Sequence, residues 1–410
     1  MERDSRLGRR RLLGALAAGS VGAMAGCQGT GSDPGADGDD SNDSNDGTGG
    51  TGGDEDIGGD PAAVSIPSPR EFRGSGALVA GRPAPGGVSM EDLPDLSGSL
   101  NLYIGGGEGG IYFRFVELLQ EIYPEFEVFA SSAASSSLAQ TVVEEVDAGS
   151  PQADVLWSID AGSLGFVADN GAYEPLPAEV VDPVPGAFRG DDEAWVGVTG
   201  RARSVPYNTE RLSAEDVPDD VQAFPDADAL GTVGWAPTYG AFKSFVTAMR
   251  LLQGPDRTRE WLVAMRERAA GTERVPNEFV VSGQVADGAL DAGFANHYYA
   301  MRVKNQRPDA PIDLAFTGND AGALVDVAGA LRIRGTEKAG LVNGFLRHLL
   351  SAEAQEFFAT VSFAYPMIRE VEPVGGLPTI DQLDPPEIDL AELSNLEPTL
   401  DVMREAGVLG

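Results

Sequence analysis

The sequence has 410 residues and a formal net charge of -35, from 64 acidic against 29 basic residues. Because this acidic excess runs along the whole chain, it would repel phosphates, which argues against nucleic acid as a partner. Diffuse acidity is typical of a surface solvated in high salt, and we expect a protein from a halophile.

The first 27 residues predict a secretion signal. Arg9, Arg10 and Arg11 precede an apolar run that is too short and too rich in Gly and Ala for a membrane span. The arginines resemble a twin-arginine export signal, and the Ala-Gly-Cys ending resembles a lipobox that would lipidate Cys27. An ordinary signal with an accidental cysteine is the alternative. Cys27 is the only cysteine, so no intrachain disulfide is possible.

Residues 28–96 predict a disordered acidic linker. The part up to residue 60 is composed mainly of Gly, Asp, Ser and Asn, which cannot bury enough apolar surface to fold. Pro and Gly continue through 61–96. A lipidated cysteine before a flexible arm predicts a protein at the cell surface, anchored to the outer face of the cytoplasmic membrane.

From residue 97 onward, the pattern predicts an α/β fold. Strand-like runs at 100–104, 126–130 and 153–159 alternate with two segments of helical apolar spacing. This alternation indicates a parallel sheet covered by helices. The roughly 310 remaining residues are enough for two lobes. In such sheets, ligands bind beyond the carboxyl ends of the strands.

Reactive groups are scarce along the chain. The only histidines are His297 and His348, and no G-x-S-x-G elbow, Cys-His pair or zinc cluster is visible. The GGGEGG loop at 105–110 lacks the lysine and the spacing of a phosphate loop. An extracellular enzyme is therefore disfavoured, and the alternating α/β pattern disfavours a structural surface protein.

Tyr298 and Tyr299 stand side by side after an Asn-His pair. Taken alone, they fit a strand with one ring facing in and one facing out. Their chemistry gives a second interpretation, because Fe³⁺ is a hard cation that prefers anionic oxygen ligands such as phenolate. Free tyrosine titrates near 10, but a trivalent ion displaces that proton at neutral pH. Both rings could face one ion if the segment were irregular.

Several blocks around this pair form a recognisable set. They are WVGVTGRARSVPYN (195–208), GTVGWAPTYGAF (231–242), GFANHYYAMR (293–302), FTGNDAGALVDVAGALRI (316–333) and FAYPMI (363–368). Together they make the chain, from about residue 100 to its end, resemble the periplasmic ferric-ion-binding proteins of ABC transporters.

This resemblance implies an α/β, two-lobed periplasmic-binding-protein fold of type II. Each lobe would be a mostly parallel sheet flanked by helices, with a hinge of crossing strands. The first lobe would comprise 97–200 and 326–376, and the second 201–325 and 377–410. The resemblance further implies a monomeric, non-enzymatic receptor that delivers its solute to an ABC transporter permease.

Carried over to this chain, the family's site makes Tyr298 and Tyr299 phenolate ligands of a transported Fe³⁺, with Tyr239 as a third. The usual first-lobe ligand positions hold Gly107 and Ile159 instead. Possible further ligands or neighbours of the metal are Glu108, Asp160, Arg201, Arg203, Asn296 and His297. A receptor for another small anionic or organic solute, without an iron site, is the alternative.

Overall fold

The computed structural model describes most of the chain beyond the predicted signal and tether. The described residues are Ile66, Ser68, 70–106, 110–269 and 275–409. The predicted signal peptide, the lipidation site Cys27 and the positions Gly107 and Glu108 lie outside them. Within these ranges, no helix combines the length and the apolar character needed to cross a membrane.

The described residues alternate between strands and helices. The strands are β1 (Gly98–Gly105), β2 (Phe126–Ala133), β3 (Val155–Ser158), β4 (Tyr173–Glu174), β5 (Val196–Asn208), β6 (Val233–Gly234), β7 (Ala292–Gly293), β8 (Ala295–Asn296), β9 (Ile312–Ala315), β10 (Val325–Ile333) and β11 (Tyr365–Pro366). The α-helices are α1 (Ile111–Ile122), α2 (Ser135–Asp147), α3 (Ala161–Asp169), α4 (Ala178–Val181), α5 (Gly240–Gln253), α6 (Pro255–Arg268), α7 (Glu278–Ala286), α8 (His297–Gln306), α9 (Ala339–Leu349), α10 (Ala352–Phe357) and α11 (Glu397–Glu405).

One sheet path runs in the order β2-β1-β3-β10-β5-β7-β6. β1 pairs in parallel with β2 and with β3, as the alternating sequence pattern predicts. β10 is antiparallel to both β3 and β5, so the sheet as a whole is mixed. We call the part built on β1, β2, β3 and β10 the first lobe, and the part built on β6 to β9 the second lobe.

The strand β5 belongs to both lobes. Its first half pairs with β10 over Val196–Ala202, and its second half pairs with β9 over Val205–Asn208. A strand of 13 residues therefore crosses between the lobes without a break. Its side chains are almost all buried, because helices and loops cover it on both faces.

The first lobe is held by a continuous apolar core. β3 is buried at every position, as expected for a strand covered by helices on both sides. Phe115 and Leu119 on α1 are spaced by one helical turn and are fully buried on the same face. Tyr112 on α1 stacks on Trp157 of β3, with ring centroids 4.2 Å apart. These contacts hold α1 against the parallel strands.

Residues 70–96 correct the predicted linker, which extended to residue 96. Phe72, Met90 and Leu96 are buried in the first-lobe core. The N–H of Met90 donates to Oε2 of the fully buried Glu353 at 2.9 Å, and Arg82 pairs with Glu356. The prediction was wrong for this segment because widely spaced apolar anchors were outweighed by the Pro and Gly around them.

The C-terminal tail contacts both lobes. Its 3₁₀ helix Leu390–Ser394 packs on α3 of the first lobe, where Gly165 lets Ala391 approach closely. Farther on, α11 packs on α5 and α6 of the second lobe, and the Thr399 hydroxyl lies 2.9 Å from that of Thr247. The sequence predicts that residues 377–410 belong to the second lobe alone.

Candidate functional site

A cavity of about 570 Å³ opens at the carboxyl ends of the first-lobe strands. Gly106 and Ile159, which directly follow β1 and β3, both line it. This is where open α/β sheets place their ligands. We call its first-lobe side the first wall, formed by Ser135, Ser136, Ile159, Asp160, Ser163 and Asp326. We call its second-lobe side the second wall, formed by Tyr239, Ser244, Asn296, Tyr298, Tyr299 and Arg302.

The adjacent tyrosines of the second wall lie in the first turn of α8, not in an irregular segment or a strand. Tyr298 and Tyr299 are 6% and 8% exposed, and their ring centroids are 4.4 Å apart. Successive helix residues point about 100° apart, so the helix itself fixes the angle between the two rings. Both side chains still line the cavity.

Tyr239 joins this pair from another element. It is the residue that precedes α5, and its ring centroid lies 6.2 Å from that of Tyr299. The hydroxyls of Tyr239 and Tyr299 are in direct hydrogen-bond contact. Tyr239, which is far from the adjacent pair in sequence, thus joins Tyr298 and Tyr299 on one side of the cavity.

The protonation state of these phenols depends on their burial. Desolvation raises the pKa of Tyr299 far above its ordinary value, and the neighbouring Tyr298 and Tyr239 raise it further. Without a bound metal ion, the Tyr299 hydroxyl is therefore neutral at physiological pH. A metal ion that binds to this oxygen has to displace the proton.

Arg302 is a residue of this wall that the sequence analysis missed. Its guanidinium carbon lies 5.1 Å from the ring centroid of Tyr298 and 5.6 Å from that of Tyr299. This is cation–π range. The signal was available, since Arg302 follows the tyrosines by four and three positions, the spacing of neighbours on a helix.

The predicted residues Arg203 and Asn296 are brought together beside the tyrosines. Nη1 of Arg203 donates to Oδ1 of Asn296 at 3.1 Å, and Nδ2 of Asn296 donates to the Tyr298 hydroxyl at 3.3 Å. Glu278, which the sequence analysis did not single out, forms an ion pair with Arg203 at 2.6 Å.

Arg201 occupies the region between the walls. Its Nη2 lies 2.8 Å from Oδ2 of Asp326, another cavity residue that the sequence analysis missed. Burial raises the pKa of the Asp326 carboxyl, and the charge of Arg201 opposes that rise. The pair places a guanidinium and a carboxyl group side by side in the lining of the cavity.

Asp160 and Ile159 are placed on the first wall, as the sequence analysis expected of the loop after β3. Asp160 precedes α3, and its Oδ1 accepts the N–H of Ser163 at 2.7 Å. The carboxylate is thus engaged as a helix cap. In the described ranges, no group of three or more His, Cys, Asp or Glu side chains could hold a metal ion.

His297 is not among the described residues that line the cavity. It is fully buried, with Nε2 2.7 Å from the Phe363 carbonyl oxygen and Nδ1 3.3 Å from that of Ala202. Burial lowers its pKa to about 4, so the ring is neutral at physiological pH. The structure thus gives this side chain backbone partners and does not bring it to the second wall.

The lobes, the crossing strand and the cavity define a class of protein, the two-lobed solute receptors. The family model described as bacterial extracellular solute-binding protein matches residues 150–385, and the chain belongs to this family.

Comparison with known proteins shows which solute-binding proteins the chain is similar to. The chain is 29% identical over 290 residues to the major ferric iron-binding protein of Neisseria meningitidis, covering 69% of this chain and 85% of that one. It is 28% identical over 301 residues to iron uptake protein A2 of Synechocystis, covering 70% and 85%. The crystal structure of iron-bound HitA from Pseudomonas aeruginosa has a TM-score of 0.63 and 27% identity, covering 75% and 99%. The predicted resemblance and the predicted type II fold are thereby confirmed.

Proposed function

We propose that this chain is the solute receptor of an ABC importer and binds Fe³⁺ through the phenolate oxygens of Tyr239, Tyr298 and Tyr299. The observation that supports this most directly is the meeting of the buried Tyr298 and Tyr299 with the partly buried Tyr239 on one wall of the cavity. The iron-binding names of the relatives point to the same cargo.

Charge balance favours a trivalent cargo. Three phenolates carry three negative charges, which equal the three positive charges of Fe³⁺, so the charges of the ion and of these three ligands cancel. The raised pKa of Tyr299 couples loading to proton release: iron binds as the protons leave. Arg302, above two of the rings, favours the charged phenolates further.

The first wall would complete the site when the lobes close. Asp160 already lines the cavity, and Glu108 lies in the loop after β1, so these two carboxylates are our candidates for first-lobe ligands. In this proposal the lobes comprise 97–200 with 326–376 and 201–325 with 377–410. Residues 70–96 pack on the first lobe, and the 3₁₀ helix Leu390–Ser394 of the tail also contacts it.

Closure is a hinge motion about the crossing strands. A ligand that touches both lobes stabilises the closed form, and this population shift is what the permease would detect. The proposal includes export through a twin-arginine signal and a lipid anchor at Cys27, which would place the receptor on the outer face of the membrane. The acidic surface fits a saline medium.

A second candidate is a small anionic or organic solute, or a chelate of iron with one. The volume favours it, since a cavity of about 570 Å³ is much larger than a single ion needs. Arg302 lines the same space and provides a cation for an anionic group, beside Arg201 and Arg203, whose charges are balanced by Asp326 and Glu278.

The visible spectrum separates the two candidates. Adding ferric nitrilotriacetate to the purified protein should produce the phenolate-to-iron charge-transfer band. The double variant Tyr298→Phe/Tyr299→Phe should lose it. Tyr365→Phe is the matched control, because Tyr365 is fully buried and its hydroxyl has no hydrogen-bond partner among the described residues.

The outcomes are distinct. A colourless wild type rules out the tyrosine site and leaves the anionic-solute candidate. An unchanged band in the double variant rules out Tyr298 and Tyr299 as ligands. A band lost in the double variant and kept in the control supports the proposal.

A further inference from the structure

A buried ion pair stands directly behind the second wall. Nη1 of Arg203 lies 2.6 Å from Oε1 of Glu278, and the two side chains are 3% and 0% exposed. Arg203 comes from the crossing strand β5, and Glu278 is the first residue of α7. The guanidinium also lies 5.3 Å from the ring centroid of Phe245, so it is held on several sides.

Glu278 is connected to the tyrosines through Asn296. Its Oε2 accepts the backbone N–H of Asn296 at 2.8 Å, while Arg203 donates to the side-chain oxygen of the same residue at 3.1 Å. With its oxygen fixed in this way, the Asn296 amide turns its Nδ2 to the Tyr298 hydroxyl, 3.3 Å away. Glu278 thus restrains both ends of the residue that contacts a proposed ligand.

Stability alone is a weak reason for this arrangement. Removing two charges from water is costly, and apolar residues of similar volume often replace a buried ion pair without loss of stability. An apolar pair, however, could neither orient the Asn296 amide nor hold a fixed charge balance beside the phenols. Groups that orient metal ligands commonly change metal affinity when they are removed.

We propose that Glu278 is a positioning residue of the cleft, which orients Asn296 toward the Tyr298 hydroxyl and balances the charge of Arg203. The inference rests on the proposed function where iron is the readout. The competing explanation is that Glu278 only ties α7 to β8, in which case its loss changes stability and nothing at the phenols.

The decisive variant is Glu278→Gln. Because arginine does not lose its proton, this change leaves the charge of Arg203 uncompensated beside the phenolates. A nearby positive charge stabilises the phenolate electrons, so the charge-transfer band should move to shorter wavelength. Iron affinity should fall by about 10- to 100-fold as Asn296 loses its anchor. Adding Arg203→Gln should return the band toward its original position.

Glu353→Gln is the matched control. Glu353 is equally buried and accepts from the Ser89 hydroxyl and the Met90 N–H in the first lobe. It should lower the melting temperature without moving the band or the affinity. If Glu278→Gln behaves in the same way, or if Arg203→Gln does not reverse the band shift, the positioning role is overturned.

A measurement without iron separates this inference from the proposed function. In protein labelled with ¹³C at the tyrosine ring carbon that bears the hydroxyl, the Tyr298 resonance is assigned by its absence in Tyr298→Phe. Glu278→Gln should displace this resonance, and Glu353→Gln should not.

The two readouts fail independently. If the wild type stays colourless but the resonance moves, the iron proposal fails and the positioning role stands. If the wild type is coloured and Glu278→Gln changes neither the band nor the resonance, the positioning role fails and the iron proposal stands. Should Glu278→Gln not fold, Glu278→Asp keeps the charge and shortens the reach. The band should then stay in place while affinity falls and the resonance moves, and unchanged values would overturn the role.

Discussion

The two walls of the cavity are built from different materials. The second wall is aromatic, with three phenols at the starts of α5 and α8 and the Arg302 cation above two of the rings. The first wall consists of Ile159 and small polar side chains at the starts of α2 and α3, together with the carboxyl groups of Asp160 and Asp326. In the proposed function, the second wall binds the cation and the first wall closes over it.

The walls also differ in how far they are assembled before any ligand arrives. The hydroxyls of Tyr239 and Tyr299 are already in contact, so two of the proposed ligand oxygen atoms of the second wall lie together before any metal arrives. On the first wall, Oδ1 of Asp160 caps α3, and Asp326 is paired with Arg201. Because those carboxylates are occupied in the fold, we expect most of the binding energy to come from the second wall.

The largest expected effect sets one wall against the other. Tyr239→Phe removes a proposed ligand and should weaken iron binding by more than about 100-fold, since residues that merely orient ligands already account for 10- to 100-fold. Asp160→Asn should weaken it by less than about 10-fold, because asparagine caps a helix as well as aspartate does. Competition with a chelator of known affinity measures both.

If the two variants weaken binding equally, the expectation that most of the binding energy comes from the second wall is contradicted. A larger loss in Asp160→Asn would make the first wall the principal source of ligands. Circular dichroism should show that α3 is intact in that variant, so that a loss cannot be assigned to an unfolded helix.

A smaller effect, on stability, is expected where the C-terminal tail packs on α3. Gly165 on α3 faces Ala391, and an added methyl group would collide with it. Gly165→Ala should therefore lower the free energy of unfolding by about 1–3 kcal/mol, the range for overpacked sites. Gly283→Ala, on a helix of the second lobe with open space around it, should be neutral or stabilising by up to about 1 kcal/mol.

Urea unfolding of both glycine variants provides the measurement. Equal stability in Gly165→Ala and wild type would mean that the close packing of the tail on α3 does not contribute to stability. Leu393 and Ser394 of the tail help to line the cavity. Iron affinity measured on the same samples therefore shows whether the packing of the tail on α3 also influences the cavity.

Much of the fold could be predicted from local sequence. The parallel order β2-β1-β3 follows from apolar runs that alternate with helical spacing, and short-range pattern is enough to recognise it. The packing of Phe72 and Met90 could not be predicted in this way. The burial of Met90 depends on Glu353, 263 residues away, and Phe72 packs on Phe115 of α1, so no local window contains these partners.

The functional site likewise contains some residues that could be predicted from the sequence and others that could not. Tyr298, Tyr299 and Tyr239 were predicted as a set because the resemblance linked distant blocks, and the structure brings them together. Glu278 and Asp326 were missed, since an acidic residue in a chain with 64 of them has no local signal. Only the three-dimensional pairing with Arg203 and Arg201 distinguishes these carboxylates from the solvated ones.

The smallest expected effect concerns the histidines, which are buried in both lobes. Burial lowers the pKa of His348 below its ordinary value, and its Nε2 lies 3.0 Å from the Tyr123 hydroxyl. The unfolded chain then binds a proton more readily than the folded one as pH drops below about 6.5. The contribution of His348 to stability is therefore complete above that pH and declines as the pH falls toward the lowered native pKa.

His348→Asn removes this proton uptake while leaving a side chain that can donate to the Gly344 carbonyl oxygen, as Nδ1 does at 2.8 Å. The free energy of unfolding should thus fall less between pH 7.5 and 5.5, by urea titration, in the variant than in the wild type. Tyr123 loses its partner at both pH values, so that loss cancels in the difference. An equal decline in both proteins would mean that His348 is not the group that takes up the proton. Since His348 contacts neither wall, iron affinity at pH 7.5 should stay the same, and a change would show that the first-lobe core influences the cavity.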